Sequence, residues 1–251
     1  MADTRQIQKI LKERTTSPQV ITLDGGAGTG KTSLARSLAS LLGFNYLDTG
    51  AMYRSIALRL GEESWLRSGP WLEEQLAVLR FSLKGSGEET LLVLDGYPVS
   101  EEIRREEVGM WASKLAQLTV VREHLTLFQQ ELGNNFSLVA EGRDMGTVVF
   151  PEAQFKYFLF ADSEERARRR QRQIRDEYGK KAELSEIRQD LKKRDRQDSD
   201  RSLAPLRAAE DAISIDTTDK DFSQVLHLIL EDMQSHLGAI QDPTHHSGGL
   251  S

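Results

Sequence analysis

Gly25-Gly26-Ala27-Gly28-Thr29-Gly30-Lys31-Thr32 has the pattern G-x-x-x-x-G-K-[ST], and its flanks decide what it can build. Before it runs Val20-Ile21-Thr22-Leu23, an apolar stretch that reads as a buried strand, and after it residues 34–42 carry helical periodicity. The loop therefore joins a strand to a helix. Glycines let successive backbone N–H groups turn inward around an anion, and the helix brings the positive end of its dipole to the same point. Gly25, Gly26, Ala27, Gly28, Thr29, Gly30 and the following Ser33 are expected to cradle the phosphates of a nucleoside triphosphate. Lys31 should reach the terminal phosphates, and the Thr32 hydroxyl should ligate Mg²⁺.

The rest of the chain alternates in the same manner. A strand is expected at 44–47, and Thr49 can cap a helix running toward Leu60. Further strands are expected at 137–140, 155–160 and 212–215. Ser163 should cap a strongly basic helix, and a second charged helix should run over 183–196. Phe222, Val225, Leu226, Ile229, Leu230 and Met233 form the core face of a last helix. Residues 62–118 break the alternation, with strands expected at 76–83 and 91–94 around the turn Lys84-Gly85-Ser86-Gly87. The expected fold class is α/β: a P-loop three-layer α/β/α arrangement with a parallel sheet, a small insert and a helical Arg-rich lid. Residues 1–17 read as a loosely attached extension, 18–238 as the domain, with the insert about 62–118 and the lid about 163–201, and 239–251 as a disordered tail.

Composition narrows the partners. A net charge of −6 argues against broad binding to nucleic acid, whose affinity comes from neutralised phosphates. Local basic clusters must then serve small molecules. There are no cysteines, so disulfides, thiolate metal sites and cysteine nucleophiles are excluded. No apolar stretch is long enough to cross a bilayer, and a cytoplasmic monomer with no membrane partner is expected.

In an open parallel sheet, ligands collect at the carboxyl ends of the strands. The phosphate loop, the segment 48–54 and the segment 141–144 all lie at such ends. Arg54 and Arg143 would add positive charge opposite the loop, where a second phosphate could sit in line with the γ-phosphate of a donor, which is a kinase arrangement. Glu141 or Asp144 could hold Mg²⁺ beside Thr32; alternatively Asp144 could accept a hydrogen bond from the exocyclic amine of a base. Arg166, Arg168, Arg169, Arg170, Arg172 and Arg175 form either a lid that folds over the triphosphate, with Arg169 and Arg170 as candidates for its phosphates, or a solvated helix face. Residues 194–201 mix charge signs densely enough to read as a solvated loop. None of the five histidines is assigned a role.

Three segments, Leu47-Asp48-Thr49-Gly50-Ala51-Met52-Tyr53-Arg54, Gly142-Arg143-Asp144-Met145-Gly146-Thr147-Val148-Val149-Phe150-Pro151 and the weaker Ala204-Pro205, resemble the bacterial cytidylate kinase family. The resemblance runs from about Val20 to Met233. It implies transfer of the ATP γ-phosphate to CMP or dCMP with Mg²⁺, on a parallel sheet with a CMP-binding insert and a lid. It also implies that Thr49, Arg54 and Arg143 contact the acceptor phosphate, that Ser113, Arg122 and Asp144 read cytosine, and that Arg194, Asp198 and Arg201 contact sugar and phosphate. Lys31, Arg143, Asp144 and Arg194 would carry catalysis. The chain departs from the family pattern at Gly26, usually proline, at Thr32-Ser33, at Glu141, usually aspartate, and at Gln197 and Ser199, usually arginine. A kinase for another small acceptor (UMP, AMP or a shikimate-like alcohol) and a nucleotide-binding module without catalysis are the competing readings.

Overall fold

The apolar run at Val20 becomes the centre of a five-stranded parallel sheet in a computed structural model that describes residues 4–14, 17–67, 69–179, 181–201 and 203–239. The first part of the chain forms α1 (Thr4–Arg14), β1 (Val20–Gly25), α2 (Lys31–Leu42), β2 (Asn45–Asp48) and α3 (Thr49–Leu60). Then come α4 (Gly69–Ala77), β3 (Phe81–Lys84), β4 (Leu91–Leu94), β5 (Tyr97–Pro98), α5 (Glu106–Leu115) and α6 (Thr119–Asn135). The alternation resumes with β6 (Leu138–Gly142), β7 (Phe155–Phe160), α7 (Ser163–Tyr178), α8 (Leu184–Ser199), β8 (Ile213–Asp216) and α9 (Phe222–Ala239). The sheet order is β2-β6-β1-β7-β8.

Central strands are covered on both faces, which is why they read as continuous apolar runs. Along β6, Val139 faces a cluster built with α1, α2 and α9, while Leu138 and Ala140 face a second cluster with α3 to α6. At the end of β1 the backbone of β7 lies so close that a Cβ on Gly25 would sit 2.1 Å from Leu159 O, and its φ of 149° suits only glycine. Among the described residues no helix is long and apolar enough to cross a membrane.

Several sequence expectations are corrected here. Helix α1 is not loosely attached: Ile7, Ile10 and Leu11, spaced at i, i+3 and i+4, are buried against α9 and α2, and Gln19 Nε2 donates to Leu11 O at 2.8 Å. Ile7→Ala is accordingly expected to lower the unfolding free energy in a urea titration by about 2 to 4 kcal/mol, the usual range for a buried isoleucine. An unchanged midpoint would return α1 to the status of an appendage.

Leu76 belongs to α4 rather than to a strand, because Leu72 and Leu76 at i and i+4 share one buried helix face; β3 begins only at Phe81. The antiparallel β3-β4-β5 sheet does not stand apart. Gly87 N donates to Phe44 O at 2.8 Å and Tyr46 N to Thr90 Oγ1 at 3.1 Å, so the hairpin loop covers the free edge of β2. The caps also differ by one residue: Asp48 caps α3 through Ala51 N and Asp162 caps α7 through Glu164 N, where Thr49 and Ser163 were expected. Thr49 uses its hydroxyl elsewhere. Phe222 is 44% exposed, so the core face of α9 starts at Val225. Most of the charged segment expected as a loop lies inside α8, with Asp198 turned inward. The tail at 240–251 lies outside the described residues.

Candidate functional site

β2, β6 and β1 are neighbours, so their carboxyl ends bring the three candidate segments side by side. α2 starts at Lys31 after Gly30, whose φ of 91° turns the chain into the helix with no side chain capping it. The first N–H groups of α2 therefore face the loop, as an anion site requires. Lys31 is buried, and its ammonium donates to Gly26 O at 2.7 Å. Burial first, then the nearby Arg143, push its pKa down to about 7.

Thr32 Oγ1 donates to Glu141 Oε2 at 3.0 Å, and the Tyr46 hydroxyl donates to the other oxygen, Oε1. Burial, with Asp48 nearby, raises the Glu141 carboxyl above the usual range. Among the described residues no group of three or more His, Asp or Glu gathers as a metal site. A hydroxyl and one carboxylate suit Mg²⁺ beside a triphosphate, because that ion keeps waters and takes phosphate oxygens as most of its ligands. Thr32 and Glu141 fit such a site. Tyr46 escaped the sequence reading, and only its partner 95 residues away reveals it.

On the acceptor side, Thr49 Oγ1 donates to Glu141 O at 2.7 Å, which ties the start of α3 to β6. Arg54 donates to Ile103 O at 3.1 Å and packs so closely on Gly109 that a Cβ there would lie 2.8 Å from Nη1. Burial and then Arg194 lower its pKa, with Arg170 and Arg104 adding to the effect. Gathered cations of this kind suit an incoming anion. Arg143 Nε donates to Asp198 Oδ2 at 2.8 Å, and Arg201 holds Asp198 Oδ1, so Asp198 joins β6 to the end of α8.

Asp144 forms a buried ion pair through Oδ2 with Arg122 of α6, whose guanidinium lies 5.8 Å from the centre of the Tyr53 ring. Burial pushes the Tyr53 phenol up to about 12. Ser113 sits half-buried on α5, and among the described residues no hydrogen bond joins it to this pair. A cavity of about 800 Å³ opens between the α5–α6 connection and α8, lined by Ala116, Gln117, Lys192, Lys193, Arg196 and Arg201 among others.

α7 and α8 pack on the glycine-rich loop before α2 through a residue that the sequence reading did not select for ATP. Arg166 Nη1 pairs with Asp195 Oδ2 at 2.7 Å and donates to Ala27 O at 3.3 Å. A Cβ on Gly26 would lie 3.2 Å from both Arg166 Nη1 and Asp195 Oδ1, so the glycine at this position gives the pair its room. Arg169 turns instead to Thr217, donating to its Oγ1 at 3.0 Å and to its carbonyl, while Arg170 donates to Gln173 at 2.7 Å. Thr217 Oγ1 donates in turn to Thr29 O of the loop at 3.3 Å. Asp24, at the end of β1, was also passed over. Its two oxygens accept from Met145 N at 2.9 Å and Gly146 N at 2.8 Å.

Comparison with known proteins shows the family. The sequence model of the Cytidylate kinase family matches residues 21–235. The cytidylate kinase of Oleidesulfovibrio alaskensis is 51% identical over 215 residues, covering 86% of this chain and 98% of the relative. That of Maridesulfovibrio salexigens is 49% identical over 209 residues, covering 83% and 93%, and that of Nitratidesulfovibrio vulgaris (strain Hildenborough) 47% identical over 220 residues, covering 88% and 94%.

Proposed function

The chain belongs to the cytidylate kinase family, and from that premise we propose a division of labour for the reaction it catalyses, ATP-dependent phosphorylation of CMP and dCMP to CDP and dCDP. An oxygen of the acceptor phosphate attacks the γ-phosphorus, the bond from phosphorus to the bridging oxygen breaks, and ADP leaves. Such a transfer depends on alignment and charge neutralisation more than on covalent help. The observation that carries the assignment is the junction of β1 and β6. There the hydrogen bond from Thr32 to Glu141 at 3.0 Å ties the residue after Lys31 to the end of β6, so the loop after β1 and the segment that begins at Glu141 face one site.

Residues 25–33 bind the triphosphate, and Lys31 and Arg143 flank the transferring group. Thr32 and Glu141 would hold Mg²⁺, which would neutralise charge on the phosphates. Thr49 and Arg54, with Arg194 facing it, take the acceptor phosphate. Asp198 and Arg201 take the sugar side, and Arg122, Asp144 and Ser113 take cytosine. Cytosine offers an amine donor to Asp144 and neighbouring acceptors to Arg122, whereas uracil would put a carbonyl against a carboxylate. The buried pairing of Asp144 with Arg122, and of Thr32 with Glu141, supports giving the base to Asp144 and the metal to Glu141. α7 and α8 act as the lid, with Arg166 as its contact with the loop and Arg169 and Arg170 on the donor side. The same reading takes the protein as a cytoplasmic monomer that serves small nucleotides rather than nucleic acid, which its net charge of −6 supports.

Incubation with Mg-ATP and CMP, dCMP, UMP, AMP or shikimate in parallel, with products resolved, tests reaction and acceptor together. CDP and dCDP are expected as the main products, each with one ADP. Nucleotide binding without product would overturn the reading, and a dominant product from another acceptor would reassign it.

A further inference from the structure

Asp144 stands at the N-cap position of the helical turn Met145–Val149, yet its side chain makes no capping hydrogen bond. An aspartate there would ordinarily turn its carboxylate back onto the first free N–H groups of its own turn. Two of those groups, Met145 N and Gly146 N, are already taken. Asp24, 4% exposed at the end of β1, accepts from Met145 N and Gly146 N with one oxygen each. The Asp144 carboxylate meets Arg122 instead. A carboxylate is the only side chain of this size that presents two acceptors to two successive donors. Asparagine would turn an amide donor onto one of them.

We propose that Asp24 is a surrogate cap that sets the base specificity of the acceptor site: by capping the 145–149 turn from the neighbouring strand, it keeps Asp144 turned away from its own backbone and available to the base. The inference rests on the reading of Asp144 as the cytosine contact. It assigns Asp24 to the acceptor side although the residue immediately precedes the phosphate loop. Loss of Asp24 lets Asp144 fall back to cap its own turn, and discrimination between bases suffers while ATP binding does not.

The test compares Asp24→Ala, Asp144→Ala and the double variant, with kcat/KM measured for CMP and UMP and KM measured for ATP. Asp24→Ala is expected to lower the preference for CMP over UMP by about tenfold, the scale of one lost hydrogen bond to a charged group, with KM for ATP unchanged within about twofold. In the Asp144→Ala background it should have no further effect on that preference, because the residue it releases is gone. Equal losses on CMP and UMP, a raised KM for ATP, or the same loss of preference in both backgrounds would overturn the proposal. Failure of the underlying reading looks different, since Asp144→Ala alone would then leave the preference untouched. If Asp24→Ala does not fold, Asp24→Asn, which keeps the volume and one acceptor, carries the same comparison. Failure of both to fold while Asp144→Ala folds would make Asp24 a holder of the fold and overturn its role in specificity.

Discussion

Lys31→Ala is expected to lower kcat by about three orders of magnitude, because it removes a charge aimed at the transferring phosphoryl group inside a water-poor site. The fold should survive. The ammonium is buried beside Arg143, its charge is opposed by burial and by that neighbour, and its hydrogen bond goes to Gly26 of the same loop rather than to the core. Removing it relieves a like-charge contact with Arg143 but also takes a counter-charge from Glu141, Asp24 and Asp198, so the thermal midpoint should move little. The loss should fall on kcat more than on KM for CMP, since the proposed division of labour gives the acceptor phosphate to Thr49 and Arg54. Lys31→Arg is not expected to rescue activity, because a planar guanidinium cannot replace a compact ammonium in a loop with this little room. Steady-state kinetics with an unfolding curve for each variant checks the point, and near-normal kcat in Lys31→Ala would remove Lys31 from the transition state.

What could be read in the sequence was local. A strand, a glycine-rich turn and a helix are contiguous, so this local unit announces itself. The three strand ends follow from alternation, because parallel strands place their carboxyl ends together whatever the order of the sheet. Contacts between distant segments left no such trace. The Tyr46 hydroxyl on Glu141 spans 95 residues and the Asp24 carboxylate on Met145 spans 121, and neither residue belongs to a pattern. Charge patterning failed in a definite way at 194–201. Alternating signs ordinarily mean solvent, yet here Asp195 and Asp198 meet Arg166 and Arg143 from other segments, Arg201 closes on Asp198 from within, and the helix runs on through Ser199. The short stripe of α1 was underestimated for the opposite reason, since three apolar residues are few in isolation but complete a face that α9 and α2 leave open.

Asp144→Ala should weaken use of CMP by about 2 kcal/mol or more in kcat/KM and use of UMP by little, because removing one partner strands a desolvated polar group on the cytosine and not on the uracil. UMP use could rise, since the carboxylate that opposes its carbonyl is gone. The buried pair with Arg122 adds a second consequence. Truncation leaves that guanidinium without its counter-charge, and breaking a buried pair from one side costs about 3 to 5 kcal/mol of stability. Activity must therefore be read at a temperature where the variant is folded, as judged by its own unfolding curve. Asp144→Asn separates the two effects. It keeps the volume and can still accept from the cytosine amine through its carbonyl, but only by turning an amide donor onto Arg122; with the carbonyl on Arg122, its amide instead suits the uracil carbonyl. The ratio of CMP to UMP should then fall even where stability is better preserved. A role in holding Mg²⁺ predicts something else, because the metal serves both acceptors alike: kcat/KM would drop in proportion on CMP and UMP, and added Mg²⁺ would recover both. Measuring the two acceptors on wild type and both variants across a Mg²⁺ titration decides between them, and a proportional fall would move Asp144 from the base to the metal.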